Sequence, residues 1–232
     1  MIHEDIILGP VRLIRGDCTL IAPTLEGVDA VITDPPYGIS HGCNFASRGR
    51  GNLAKCNDWQ NVEGDFAPFD PSPWLNFKSV VLWGGNHFAE KLPSTSGWLV
   101  WDKERPDDLD QATCELAWTN CVKGVRRFRH LWNGMMKASE KGESYHPTQK
   151  PVVLMEWVLQ LRWIAGSKLI LDPYMGSGTT LIAAIRTGRR AIGIEIDERH
   201  FRTAVERVKR ELAQPMLPAI APTVAKQQDL LA

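Results

Sequence analysis

Two short apolar runs in this chain end in the same dipeptide, Asp-Pro, and they constrain its fold more than any other feature. The first run, residues 28–33, leads into Asp34-Pro35, and the second, residues 168–171, leads into Asp172-Pro173. Each run has the length and composition of a buried strand, and a glycine turn and a helical pattern follow the second run. Strands that alternate with helices favour a mainly parallel α/β sheet.

The rest of the chain extends this pattern to a predicted seven-stranded, mostly parallel sheet. Strands 97–101 and 114–118 are expected to form an antiparallel hairpin at one edge. We expect one domain over residues 1–212, with irregular inserted segments at about 38–76 and 122–145, and a loosely packed tail at 213–232. The other predicted strands are 11–15, 79–83 and 191–194, and the predicted helices lie at about 19–26, 87–92, 151–165, up to about 187, and 198–212.

Composition narrows the class of protein. The 232 residues include 27 Lys and Arg and 27 Asp and Glu, so a nucleic-acid partner must be held by a local basic patch. No apolar stretch approaches the roughly 20 residues that span a bilayer, and the N-terminus lacks the pattern of a secretory signal, which predicts a cytoplasmic protein without a membrane partner. The cysteines form no C-x-x-C pair, which indicates reduced thiols. The spacing of His41, Cys43 and Cys56 matches no standard zinc site, so no metal is expected.

The glycine turn after the second run indicates a cofactor site. Gly176 and Gly178 allow the backbone to approach a ligand, and the absence of a lysine after them argues against a phosphate-binding P-loop. The Asp172 carboxylate suits an ammonium group, and Glu195, which follows the next strand, suits ribose hydroxyls. A ligand with an ammonium group, a ribose and no phosphate points to S-adenosylmethionine. A tight strand–helix connection without a ligand also fits the glycines.

Four motifs together resemble the amino-methyltransferases that modify the exocyclic amines of DNA bases. The tetrapeptide Asp34-Pro35-Pro36-Tyr37 is similar to their catalytic motif, Asp/Asn/Ser-Pro-Pro-Tyr/Phe, and residues 172–180 are similar to their cofactor motif, D-P-F-x-G-S-G-T-T. Residues 146–151, His-Pro-Thr-Gln-Lys-Pro, and the turn at 16–18, Gly-Asp-Cys, resemble two further hallmarks. The resemblance implies a Rossmann-like methyltransferase fold, S-adenosylmethionine as cofactor and double-stranded DNA as partner, in a prokaryotic or phage-encoded protein.

The order of the motifs is that of the family's β class, because the catalytic half precedes the cofactor half. This order is a circular permutation of the commoner one. It places strand 11–15 beside strand 191–194, so both ends of the chain lie near one edge of the sheet. Such permutations are tolerated because chain termini usually lie at the surface and close together.

The resemblance implies a catalytic role for each part of the tetrapeptide. The Asp34 carboxylate and the Pro35 carbonyl each accept one N–H of the target amine and aim its lone pair at the methyl group. Tyr37 stacks on the target base, which leaves the duplex to reach the pocket, and Pro35 and Pro36 fix the turn. Without the other motifs, the same four residues fit an ordinary turn with a packed tyrosine.

The resemblance also implies the cofactor contacts. Asp172 and Lys150 hold the amino and carboxylate ends of the methionine moiety, and Glu195 takes the ribose hydroxyls. Simple core packing is an equal alternative for two predicted adenine contacts, Ile196 and Cys18. The other predicted contacts are Asp17 at the adenine edge, Thr148 and Gln149 at the methionine end, and Asp34, His146, Pro173, Tyr174, Gly176, Ser177, Gly178 and Thr179.

Recognition of DNA is expected to fall to the two irregular segments. Their basic residues are candidates for contacts to phosphates or guanine edges, although a solvated loop surface is an equal alternative for each one. The tryptophans between 98 and 132 fit either a core or a dimer interface, so a homodimer is a further expectation. The candidate DNA contacts are Arg48, Arg50, Lys55, Arg126, Arg127 and Arg129.

The leading hypothesis for function is methylation of adenine N6 in DNA after base flipping. Methylation of cytosine N4 uses the same geometry, but Ser more often replaces the Asp in that class. RNA and protein methyltransferases usually carry the cofactor half first, and a non-catalytic DNA-binding subunit would not need an intact Asp34 and glycine turn. No Pro-Cys nucleophile motif occurs, which disfavours methylation of cytosine carbon 5.

Overall fold

The computed structural model describes residues 2–37, 68–106, 112–133, 136–140 and 149–214. Within these ranges the strands are β1 (Ile2–Leu8), β2 (Val11–Gly16), β3 (Ala30–Thr33), β4 (Ser79–Trp83), β5 (Trp98–Asp102), β6 (Cys114–Thr119), β7 (Val125–Arg129), β8 (Trp132–Asn133), β9 (Met136–Lys137), β10 (Leu169–Asp172) and β11 (Arg190–Glu195). The α-helices in the same ranges are α1 (Cys18–Ile21), α2 (Val152–Gln160), α3 (Thr179–Arg186) and α4 (Glu198–Ala213).

Nine of the described strands form one sheet, in the order β1-β2-β11-β10-β3-β4-β6-β5-β7. The run from β2 to β4 in this order is parallel throughout, β6 is antiparallel to both of its neighbours, and β7 is parallel to β5. The predicted α/β, Rossmann-like and mostly parallel sheet is confirmed. The predicted position of strand 11–15 beside strand 191–194 is also confirmed, because Val11 pairs with Ala191 and Arg15 with Glu195.

The edges of the sheet differ from the prediction of seven strands. β1 lies antiparallel to β2 at one edge, and β7 lies outside β5 at the other, so the β5–β6 hairpin is not an edge. The prediction of an irregular segment at 122–145 is therefore wrong for β7, β8 and β9. An edge strand can leave one face to solvent, so the sequence of β7, Val-Arg-Arg-Phe-Arg, needs only Phe128 to pack inward. The centroid of the Phe128 ring lies 5.3 Å from that of the Trp157 ring of α2.

Three predicted helices are shorter or more tightly wound than expected. α1 ends at Ile21 and a 3-10 turn, Ala22–Thr24, follows, because Pro23 at the start of that turn cannot continue an α-helix. Two 3-10 turns, Gly85–His87 and Ala89–Lys91, stand in place of the helix predicted at 87–92. The helix predicted at 151–165 is α2, which ends at Gln160. No helix in the described ranges is long and apolar enough to cross a membrane.

Both faces of the central strands are covered, which explains their continuous apolar sequences. Ile32 packs in a cluster with the buried faces of α2, α3 and α4, whereas its neighbour Val31 packs on the opposite side of the sheet with α1 and the segment around Trp74. All four residues of β3 and of β10 are buried. The two strands are adjacent and parallel, so Asp34 and Asp172 leave the sheet at the same edge.

Candidate active site

The two Asp-Pro motifs meet at the carboxyl ends of β3 and β10. Leu171 pairs with Val31, which places the end of each strand beside the other. Thr33, the last residue of β3, donates a hydrogen bond from Oγ1 to Asp172 Oδ1 at 2.6 Å. This bond joins the strand of the catalytic motif directly to the carboxylate of the cofactor motif.

A cleft of about 400 Å³, counting the part open to solvent, lies at this edge. The cleft contains both aspartates together with the glycine turn and the end of the 146–151 motif, so it joins residues from three separate motifs. Its lining residues are Asp34, Gln149, Lys150, Met155, Asp172, Tyr174, Met175, Gly176, Ser177, Thr179 and Thr180.

Asp34 is the end of a chain of charged contacts. Its Oδ2 accepts a hydrogen bond from Lys150 Nζ at 2.6 Å, and its Oδ1 accepts one from the Tyr37 hydroxyl. Lys150 Nζ also lies 2.8 Å from Glu115 Oε2, and Lys103 Nζ lies 2.5 Å from Glu115 Oε1. Lys150, predicted at the methionine carboxylate, is thus bound to Asp34, the predicted catalytic carboxylate.

Burial and neighbouring charges set the protonation of this cluster. Burial raises the pKa of Asp34, and Lys150 offsets only part of that rise. Burial alone would lower the pKa of Lys150, but Asp34 and Glu115 hold it well above its ordinary value. Burial would likewise raise the pKa of Glu115, but Lys150 and Lys103 lower it to about 2. Lys150 is therefore charged at neutral pH, and Glu115 is its permanent counter-ion.

The Tyr37 ring is held between the catalytic turn and the residues after β4. It stacks on the His87 ring with the centroids 4.7 Å apart and the planes 15° from parallel. Gly84 adopts a φ of +71°, and a Cβ there would overlap the Tyr37 ring, so both its backbone conformation and the space require glycine. The orientation of Tyr37 depends on these contacts from β4.

Asp172 is a buried carboxyl with an unusual pKa. Burial raises its pKa to about 6, although Thr180 and Thr33 act in the opposite direction as hydrogen-bond donors. The backbone N–H of Tyr174 also donates to Asp172 Oδ1, at 3.2 Å. The Tyr174 ring packs edge-on against Phe69 and Trp74, with centroids 5.7 and 5.8 Å away. An aromatic wall thus lies beside the Asp172 carboxyl.

Glu195, at the end of β11, holds the glycine turn. Its carboxylate oxygens accept from the backbone N–H of Gly176 and of Asp197, each at 2.9 Å. Burial raises the pKa of Glu195 to about 7, against the effect of these two donors. Gly178, the residue before α3, has a φ of +82°. A Cβ at this position would lie 3.1 Å from Ala204 Cβ, so the turn packs closely on α4.

Two polar side chains that join separate parts of the chain support the same turn. Arg207 of α4 is buried, and its Nη1 donates to the carbonyl and the hydroxyl of Ser177, both at 2.8 Å. Its Nη2 donates to Glu140 Oε1 at 3.1 Å, and Gln149 Nε2 donates to the same oxygen at 2.9 Å. The other Glu140 oxygen accepts from the Val152 N–H at 2.9 Å, which caps the start of α2.

The predicted adenine contacts differ in their exposure. Asp17 caps α1 and accepts from the Thr19 N–H at 2.8 Å, and Cys18 is buried, with burial raising the pKa of its thiol to about 11. Core packing therefore accounts for Cys18. Ile196 is 49% exposed, so core packing does not account for it, and an apolar side chain at this edge suits contact with a flat ring.

Three candidate DNA contacts lie on the edge strand β7. Arg127 is exposed, whereas the Arg126 guanidinium lies 5.1 Å from the centroid of the Trp163 ring. Arg129 makes ion pairs with Asp102 at 3.3 Å and Glu104 at 3.2 Å. The remaining predicted contacts lie outside the described residues: Arg48, Arg50, Lys55, His146 and Thr148.

Several residues of the site lie outside any recognisable motif. His87 stacks on Tyr37, Glu115 pairs with Lys150, and Lys103 pairs with Glu115. Arg207 was hidden in a charged helical pattern that is typical of a solvated face. The sequence signal that could have identified Arg207 is its position on the apolar face of α4, which it shares with Ala204 and Val208.

Comparisons with known proteins point to a family of DNA methylases. Residues 93–206 match the family model of N6 and N4 methylases, described as DNA methylase. Type II methyltransferase M2.LlaDCHI of Lactococcus lactis subsp. cremoris is 26% identical over 227 residues, covering 80% of this chain and 83% of its own length. Type II methyltransferase M2.DpnII of Streptococcus pneumoniae is 27% identical over 228 residues, covering 80% and 84%.

Two solved structures share the fold. The crystal structure of the M1.HpyAVI–SAM complex has a TM-score of 0.50 and 23% identity, covering 85% of this chain and 99% of that one. PvuII DNA methyltransferase, which is cytosine-N4-specific, has a TM-score of 0.55 and 14% identity, covering 87% and 91%. The family match and the curated relatives together support an S-adenosylmethionine-dependent DNA methyltransferase of the family that acts on adenine N6 or cytosine N4.

Proposed function

We propose that this chain transfers a methyl group from S-adenosylmethionine to N6 of adenine in double-stranded DNA. The observation that supports this most is the position of Asp34, a carboxylate that lines the same cleft as the buried Asp172 and the glycine turn. Cytosine-N4 methyltransferases carry a similar motif, but they more often have Ser at the position of Asp34.

Residues of the cleft and of the strand end that holds its glycine turn suit the cofactor at each of its parts. Asp172 is 3% exposed and offers a carboxylate to the ammonium group. Glu195 offers acceptors to the ribose hydroxyls, since a carboxylate has about four lone-pair sites and two are taken by backbone N–H groups. Ile196 presents an exposed apolar surface to the adenine. When bound, S-adenosylmethionine supplies the methyl group, whose bond to sulfur breaks as the bond to nitrogen forms.

The protein's own part in the reaction is to orient the amine and take up a proton. The lone pair of adenine N6 is delocalised into the ring, so hydrogen bonds to both N–H groups are needed to turn it toward the methyl group. Asp34 accepts one N–H and the Pro35 carbonyl accepts the other. The nitrogen releases one proton after methylation, and the Asp34 carboxylate takes it up and passes it to solvent.

Tyr37 supplies the stacking surface for the flipped base. The spacing of 4.7 Å between Tyr37 and His87 leaves no room for a third ring, so the base stacks on the Tyr37 face away from His87 or displaces His87. Stacking of this kind is worth roughly 1–3 kcal/mol. His87 then acts as a support that keeps the Tyr37 ring in place.

The experiment that tests the proposed function is methylation of duplex DNA by the purified protein with methyl-labelled S-adenosylmethionine. Digestion to nucleosides should yield N6-methyladenine, and N4-methylcytosine alone would contradict the base assignment. Asp34→Ala should abolish transfer and leave cofactor binding largely intact, because Asp172, Glu195 and Ile196 supply the main cofactor contacts. Asp5→Ala is a matched control, since Asp5 lies on the edge strand β1 and pairs with Arg12. Activity retained in Asp34→Ala would refute the mechanism.

A further inference from the structure

Glu115 is brought to the catalytic edge by the antiparallel strand β6. Because β6 runs against β4, its first residues lie where β3 and β4 end. The Gly84 N–H donates to the Leu116 carbonyl at 2.8 Å, and the Lys103 N–H donates to the Thr113 carbonyl at 2.9 Å. Both bonds extend the pairing of β6 beyond its neighbours' ends. Glu115 and Lys103 are therefore fixed by paired backbone rather than by a loop.

The four side chains at this edge alternate in charge. The order Lys103, Glu115, Lys150, Asp34 is joined by contacts of 2.5, 2.8 and 2.6 Å between nitrogen and oxygen atoms. Lys150 is 4% exposed and Lys103 is 8% exposed, so solvent does little to screen these charges. Every carboxylate in the chain of contacts has a cation beside it, and the net charge is zero.

A single ion pair would impair Asp34 as an acceptor. A buried ammonium paired with Asp34 alone would direct its whole charge at that carboxylate and leave it a weak base. Glu115 Oε2 lies 2.8 Å from the same ammonium, so the Lys150 charge is divided between two carboxylates. Lys103 in turn compensates Glu115, because without it two carboxylates would depend on the single cation of Lys150.

We propose that Glu115 is a positioning residue that shares Lys150 with Asp34, and thereby keeps the Asp34 carboxylate free enough to accept the target amine and its proton. Lys103, which pairs with the other oxygen of Glu115, weakens the pull of Glu115 on Lys150 and so limits this sharing. The role in transfer rests on the proposed function, whereas the sharing of charge does not.

The direct test is the titration of the Asp34 carboxyl by carbon-13 NMR, with Asp34→Asn to assign the signal. Glu115→Gln removes a negative neighbour and should lower the midpoint of Asp34 by roughly one pH unit. Lys103→Met removes a positive charge further along and should raise it by a smaller amount, since Glu115 stays ionised beside Lys150. The groups that face Asp34 from the surrounding elements are Tyr37, Lys150, Glu115 and Asp172, with His87 behind Tyr37.

Matched controls are available on the exposed face of α4. Glu206 and Lys209 form a surface pair at 2.8 Å, so Glu206→Gln and Lys209→Met repeat the same chemical changes away from the site. Neither control should move the Asp34 midpoint. Thermal unfolding of each variant shows whether it folds, and the Lys103 variant keeps the test decisive if the Glu115 variant does not.

The activity readout is the single-turnover rate of methyl transfer as a function of pH. In Glu115→Gln the acidic limb should move to lower pH, and the plateau should fall roughly threefold to tenfold because a weaker base transfers the proton less well. An Asp34 midpoint unchanged in Glu115→Gln, or shifts of both variants in the same direction, would overturn the inference. If the two variants shift the Asp34 midpoint in opposite directions but the wild-type protein does not methylate DNA, the proposed function alone is refuted.

Discussion

Replacement of Asp172 by Asn should stabilise the protein while it destroys the cofactor site. The buried carboxyl has a pKa raised from 3.8 to about 6, chiefly by burial. At about 1.36 kcal/mol per unit, the ionised carboxylate costs the folded chain about 3 kcal/mol above this pH. An Asn side chain carries no such charge, and its carbonyl can still accept from the Thr33 hydroxyl and the Tyr174 N–H, which now meet Oδ1.

The pH dependence of this gain has a definite sign. The folded chain keeps the Asp172 proton to a higher pH than the unfolded chain, so wild-type stability falls as the pH rises from about 4 to about 6 and this contribution is constant above that. The difference between Asp172→Asn and wild type should therefore be small below about pH 4. It should grow to roughly 1–3 kcal/mol above about pH 6, the lower values allowing for weaker hydrogen bonds to a neutral acceptor.

Urea unfolding at several pH values measures this difference, and the thermal shift caused by S-adenosylmethionine measures binding. The cofactor should raise the melting temperature of wild type but not that of Asp172→Asn. Asp29→Asn is a control of opposite sign, because Asp29 accepts from the backbone N–H groups of Leu169 and Lys168 and these donors lower its pKa. That variant should be less stable than wild type at neutral pH. An Asp172→Asn protein that is less stable than wild type at pH 8, or that binds the cofactor normally, would refute the reasoning.

Two further predictions concern the cofactor and the DNA. Affinity for S-adenosylmethionine, measured by calorimetry, should rise with pH through about 7 as Glu195 ionises. Glu195→Gln should remove this pH dependence and weaken binding by about 1.5–3 kcal/mol. An unchanged affinity would contradict the assignment of Glu195 to the ribose. Arg127→Ala should weaken DNA binding about equally for all sequences and reduce the salt slope by about 1, whereas Arg129→Ala should have less effect because Asp102 and Glu104 already pair with that side chain. An unchanged salt slope for Arg127→Ala would remove β7 from the DNA interface.

The central part of the fold could be predicted because its strands are covered on both faces. β3, β4 and β10 are buried throughout and read as continuous apolar runs, which few other structures produce. The edge strands β1 and β7 alternate between exposed and partly buried residues, so their sequences lack that signal. β7 in particular reads as a basic loop until Phe128 is seen against α2.

The class of fold and the order of the motifs follow from the amino-acid sequence, as does the presence of Asp34, Asp172, Glu195 and the glycine turn. These features are local, because an apolar run, a turn and a side chain at its end lie within a few residues. The contacts of Lys150 with Asp34 and with Glu115 could not be predicted in this way. An ion pair is set by distance in space, and these three residues come from separate strands and turns that meet only when the sheet forms.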